Sequence, residues 1–316
     1  MKRGLVVRDP GEIPETEWRQ RIGAVREQLT AEGVEVALCY GDVHRSDDIA
    51  YLTNLCIYWN EGMLAIPADG DPALLTKLSP RVHPWMRRTS TLTELRSGKA
   101  FGALVGGFLD DRQPGTLGLV DAALWPAPLI EEVSAAAPGW VVRPLDGLVR
   151  RFRLRPSEAE KTLLRQAGTA LAGAVSAATV SGLSHRERVA AAELHARDAG
   201  FTDVLVRASD TSVEITGQYR TSWLRVARDP ALAADLRAAV GAVADGVRTG
   251  DVPARVVHHA DLSTDGEYLG RSPDRVLGAG EVVVVAVERG DAVAADTVLV
   301  TATGAESLTG KEVLAS

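Results

Sequence analysis

The sequence predicts an α/β protein of two domains. Three observations carry that expectation. The chain has 316 residues, more than a single core usually fills. Its first half alternates strand-like runs with amphipathic helical stretches, the order of an α/β domain. Two consecutive helix starts then appear near residue 157, and strands dominate the remainder of the chain. The expected division is 1–150 and 151–316.

The first element is a helix in "ETEWRQRIGAVREQLTAEG", where Trp18, Ile22, Val25 and Leu29 recur at helical spacing and Gly33 follows as the stop. "VEVALCY" alternates as a strand. The polar loop "GDVHRSDD" and a second apolar segment, "IAYLTNLCIYW", come next. "GMLAIPADGDPALLT" reads as two strands around a turn at Asp69 and Gly70. "TLGLVDAAL" and "WVVRPLD" add strands, with a helix in "PAPLIEEVSAAAP" between them.

The joint is "DGLVRRFRLRPSEAEKTLLRQAG". Ser157 and Glu160 stand at the spacing of a capping box, in which two side chains satisfy orphan N–H groups at a helix start. Ser184 and Glu187 repeat the device, and Gly200 ends the second helix. Strands follow in "TDVLVRAS" and "SVEITGQYRTSWLRVA", then a helix in "DPALAADLRAAVGAVADGV" with Pro in its first turn. The last two strands, "EVVVVAV" and "AVAADTVLVTATG", meet at a turn built on "RGD".

Composition excludes several classes. A net charge of −7 argues against a nucleic-acid binder, which presents a basic face. The apolar run "VVVVAV" is far too short to span a bilayer. The opening "MKRGLVVRDPGEIP" lacks the apolar stretch of a signal peptide, so a cytoplasmic location is expected. Cys39 and Cys56 flank apolar runs and form neither a disulfide framework nor a metal-ligand spacing.

Several residues carry chemistry. His258 and His259 stand together at a strand end, where an imidazole near pKa 6.5 serves as acid or base. Tyr219 and Arg225 lie six residues apart, so in an unbroken strand they share a face; the guanidinium offers a fork for a carboxylate. Glu214 is placed to pair with one of the nearby arginines. Glu288 and Asp291 bracket the "ERGD" turn, and Asp296 has the opposite parity to Ala295. His44 lies in the most polar loop of the first domain. Each also has a plainer role, as a solvated loop residue or an exposed charge on a sheet.

Four segments together resemble the pita-bread family of creatinase, aminopeptidase P and prolidase. "RIGAVREQLTAEGVEVALCY…GMLAIPADGDPALLT" resembles its N-terminal domain, and "LVRRFRLRPSEAEKTLLRQAG" its interdomain joint. "GLSHRERVAAAELHARDAG" resembles its second helix, and "RVLGAGEVVVVAVERG…ADTVLVTATGAESLTG" its closing strands. The resemblance implies a creatinase-like N-terminal α/β domain followed by a shortened pita-bread domain. That second domain has a curved, largely antiparallel sheet with flanking helices. It further implies a homodimer, in which the first domain, with His44, caps a cleft of its own or its partner's.

The family's peptidases hold two metal ions with two Asp, one His and two Glu. Carried over, these positions fall here on Thr211, Ser222, His258 or His259, Glu288 and Ala295. Ser, Thr and Ala supply no anionic oxygen, so no metal and no other cofactor is expected. Creatinase's own His is not matched in "DAGFTDVLVRASDTSVEITG" either. Three readings stay open. One is a metal-independent enzyme acting on a small amino-acid- or peptide-derived substrate. It would use His258, His259 and Glu288 for catalysis and Tyr219, Arg225, Glu214 and His44 for binding. Another is a non-catalytic pseudo-peptidase that binds a peptide or protein. The third is a metal-dependent Xaa-Pro peptidase with a site rebuilt from His258, His259, Glu288 and Asp210.

Overall fold

A computed structural model describes residues 9–209, 211–262 and 274–310. They fall into two compact units that part between Arg153 and Leu154.

In the first unit the chain runs α1 (Glu15–Ala31), β1 (Val36–Asp42), α2 (Asp47–Thr53), β2 (Glu61–Pro67), β3 (Ala73–Thr76) and α3 (His83–Thr89). It continues through β4 (Glu94–Ser97), α4 (Phe101–Leu109), β5 (Thr116–Val120), α5 (Ala127–Ala135), β6 (Val141–Leu145) and α6 (Arg150–Arg153). The strands form one mixed sheet in the order β4-β3-β2-β1-β5-β6. Alternation along each strand sends side chains to two helical layers. Ala37 and Cys39 meet Val25, Leu29 and Leu52 on one face. Val36 and Leu38 meet Phe101, Val105 and Val133 on the other.

Two differences from the sequence expectation have local causes. The loop before α2 is shorter than predicted, because Asp47 and Asp48 form the first turn of α2, where carboxylates oppose the positive end of the helix dipole. Helix α4 gives little helical signal, since Gly102, Gly106 and Gly107 lower its propensity. Burial of Phe101, Val105 and Phe108 holds it in place instead.

In the second unit both predicted capping boxes form, Ser157 with Glu160 on α7 (Glu158–Ala178) and Ser184 with Glu187 on α8 (His185–Asp198). The strands β7 (Asp203–Ala208), β8 (Val213–Tyr219) and β9 (Ser222–Arg228) follow. Helix α9 (Ala233–Gly241) leads to β10 (Arg255–His258), β11 (Val282–Arg289), β12 (Ala292–Thr301) and β13 (Gly304–Ser307). The sheet order is β10-β11-β12-β9-β8-β7, with β13 paired to β12, and every pairing is antiparallel. Helices α7 and α8 cover Ile215, Leu224 and Val226. Helix α9 covers Val283, Val285 and Val298. No helix among the described residues is long and apolar enough to cross a membrane.

Two glycines predict opposite responses to the same methyl group. A Cβ on Gly168, inside α7, would collide with the carbonyl oxygen of Leu308, whereas one on Gly107 in α4 meets nothing within 4 Å. Gly168→Ala therefore lowers the unfolding free energy of its unit by roughly 1–3 kcal/mol. Gly107→Ala raises that of the first unit by up to about 1 kcal/mol. Urea midpoints of each unit, followed by hydrogen exchange, check both signs.

Candidate functional site

The site is built on the β8–β9 hairpin. Its turn is Arg220–Thr221, with Tyr219 opposite Ser222, and Arg220 adopts a left-handed φ of 54°. This register sets Glu214 opposite Ala227 and Thr216 opposite Arg225. Glu214, Thr216, Trp223, Arg225 and Ala227 thus share the face turned away from α7 and α8. Ala295 of β12 pairs with both Ala227 and Ala286. Trp223, Ala227, Val257, Val284, Ala286 and Ala295 pack together as an apolar floor.

Arg225 rises from this floor although only 4% of it is exposed. Its Nε donates to Glu214 Oε1 at 2.7 Å, and its Nη2 lies 3.6 Å from Glu288 Oε1. Outside that pair, Arg207 Nη1 stands 3.7 Å from Glu214 Oε2, and Arg255 Nη1 stands 4.0 Å from Glu288 Oε2. The charges alternate in sign from β7 to β10. A guanidinium this deep is tolerated only when carboxylates neutralise it. The buried Thr297 hydroxyl fixes the Arg225 backbone, accepting from its N–H at 2.9 Å and donating to its carbonyl at 2.7 Å.

The structure gathers Arg225, Glu214 and Glu288 and separates them from Tyr219. The parity argument for Tyr219 needs an unbroken strand, and the turn at Arg220–Thr221 interrupts it. Tyr219 lies on the opposite face, against Phe201 at 5.2 Å between ring centroids, with Arg220 stacked over it at 5.1 Å. His258 stands opposite Val283, so its side chain leaves β10 on the other face from Arg225. Its Nε2 donates to the Leu154 carbonyl at 2.8 Å and its Nδ1 accepts from Ala260 N–H at 3.0 Å. That pattern assigns a neutral ring whose two nitrogens serve the backbone. His259 is buried, with its ring 4.7 Å from that of His258. His44 is exposed in the first unit, its N–H bonded to Asp42 Oδ1 at 2.8 Å. Asp210 lies outside the described residues.

Arg207, Arg255, Asp235 and Arg289 are site residues that the sequence analysis missed. Asp235 and Arg289 pair at 2.7 Å. With Pro253, Arg255, Val287 and Glu288 they line an open cleft of about 520 Å³ between α9 and the ends of β10 and β11. Arg255 stands opposite Ala286, on the face of Glu288, a register that only the paired strands reveal.

The metal positions carried over from the family do not fit two divalent ions. Thr211 is exposed at the tip between β7 and β8. Ser222 lies opposite Tyr219, on the face of α7. Ala295 is fully buried. Of the carboxylate positions only Glu288 retains an anion, and a guanidinium already stands beside it. No group of three or more His, Cys, Asp or Glu side chains among the described residues is arranged to hold a metal.

Asp296 points away from Ala295, as its parity requires. Its carboxyl is buried, and Thr309 Oγ1 donates to Oδ1 at 2.5 Å. Burial pushes its pKa from 3.8 up to about 6, while the hydroxyls of Ser307 and Thr309 pull it partly back.

No protein-family model matches the chain, and no curated protein matches it. Solved structures do. The prolidase from Pyrococcus furiosus superposes with a TM-score of 0.73 at 16% identity, over 92% of this chain and 99% of that one. The prolidase from Pyrococcus horikoshii gives 0.72 at 15%, over 92% and 98%. The dipeptidase PepE from Mycobacterium ulcerans gives 0.67 at 20%, over 93% and 95%. The chain has the pita-bread fold.

The surroundings of Arg225 and Asp296 set two expectations. Arg225→Met leaves Glu214 without its closest cation and costs roughly 3–5 kcal/mol of stability. Adding Glu214→Gln recovers most of that loss, and a double-mutant cycle by chemical denaturation reads the coupling. For Asp296 the folded pKa is raised, so the native state binds more protons between pH 3.8 and about 6. Stability therefore falls as pH rises through that window, and the cost is complete above it. Asp296→Asn removes the cost, leaving the variant more stable at pH 7 by on the order of 3 kcal/mol and no more stable at pH 3. Melting temperatures across that range test the sign.

Proposed function

We propose that this chain uses a peptidase fold to bind a small amino-acid- or peptide-derived ligand and does not cleave it. One observation carries the reading: the inner carboxylates are neutralised by Arg225, a cation built into the chain. A metal-activated water has no place beside that guanidinium. His258, one of the two adjacent histidines that offer a general base, has both ring nitrogens engaged by backbone groups. The cleft beside Glu288 supports a binding role. Its about 520 Å³ suits a small ligand, and its walls carry both signs of charge. Arg255 would hold a ligand carboxylate, and Glu288 or Asp235 an ammonium.

The prolidases and dipeptidases that share the fold suggest the panel to try. Xaa-Pro and Xaa-Xaa dipeptides with manganese, cobalt or zinc should show no turnover above the buffer rate. Calorimetry on the same dipeptides should show binding, weakened at least tenfold by Arg255→Ala. Turnover that disappears in Glu288→Gln would instead establish an enzyme.

A further inference from the structure

The cleft exposes a stretch of β-sheet edge as well as charged side chains. Strand β11 has eight residues, and all eight pair with β12 on one side. On the other side β10 pairs only with Val283–Ala286. The ladder stops there for a local reason. Pro253 has no N–H to donate, and the Ala254 N–H turns back to the Val252 carbonyl at 2.7 Å. The incoming chain therefore leaves the sheet just before Arg255. On the β10 side, among the described residues, Val287, Glu288 and Arg289 stand beyond the last pair of the ladder and line the cleft.

We infer that a short extended peptide binds here as an added strand, its main chain pairing with whichever N–H and C=O groups of Val287–Arg289 alternate toward the β10 side, an edge that no described residue covers. The inference rests on the binding reading above and specifies its ligand. Three strand residues span about 10 Å, the length of a tripeptide. Backbone pairing at a sheet edge supplies affinity without regard to side chains. The flanking charges limit the length. Arg255 with Glu288 stands on the inner face, and Arg289 with Asp235 stands toward α9. Such charges deter a long apolar strand from docking. They match the charged ends of a free tripeptide, which carries one carboxylate and one ammonium.

This recognition disfavours proline at the pairing position, because proline has no N–H to give. Selectivity would thus run against the Xaa-Pro preference named in some of the structural neighbours.

The test uses the whole chain and calorimetry with four probes: Ala-Ala-Ala, two analogues each N-methylated at one amide, and Ala-Pro-Ala. Ala-Ala-Ala is expected to bind, and at least one N-methyl analogue and Ala-Pro-Ala to bind tenfold or more weakly. Amide hydrogen exchange within 287–289 should slow when Ala-Ala-Ala is added, at the residues whose N–H faces away from β12. If all four bind alike, edge pairing is wrong while the cleft remains a peptide site. If all discriminate but protection falls on another strand, this edge is wrong. If none binds while the dipeptides above do, this inference alone fails; if neither set binds, the binding reading fails with it.

Discussion

A guanidinium buried at the centre of a sheet must be neutralised, and the second unit is arranged around that requirement. Arg225 can sit where it does because Glu214 lies across the hairpin and Glu288 reaches in from β11. The side chain needs room to lie over the floor, which Ala227, Ala286 and Ala295 provide. The Thr297 hydroxyl pins the backbone beneath it from β12. Without the two carboxylates the burial would cost several kcal/mol, more than a marginally stable domain readily loses.

The same requirement separates what sets the fold from what sets the chemistry of the inner face. Sheet, capped helices and closing strands depend on apolar alternation and local caps, which tolerate exchange of the charged residues between them. The charges of the inner face form a line of alternating sign. Its last member, Arg255, stands in the cleft beside the free edge of β11. Inner face and cleft are thus joined by Glu288, which contacts an arginine in each.

Legibility in the sequence followed the range of the interactions. Both capping boxes span three residues and were readable. So was the chance that Glu214 pairs with an arginine of the following strand, since a hairpin brings them together locally. The shared face of Tyr219 and Arg225 was misread because parity holds only within one strand, and a two-residue turn resets it. The role of His258 was beyond sequence reasoning. Its ring serves the carbonyl of Leu154, 104 residues earlier, and nothing in the "VVHHADL" segment signals that partner. Helix α4 was overlooked because three glycines mask a helix that packing sustains.

The interlock around Arg225 also bears on which substitutions the inner face accepts one at a time. Replacing Ala295 by Glu alone would add a third carboxylate to a cation that already has two. Replacing Arg225 alone would leave Glu214 and Glu288 facing each other with nothing between them. Neither single step acquires a metal, and the second forfeits stability. A path toward a metal-binding inner face must therefore change at least two residues before either change is useful. The positions are thus coupled: with an arginine between the carboxylates, the effect of a substitution at one depends on what stands at the others.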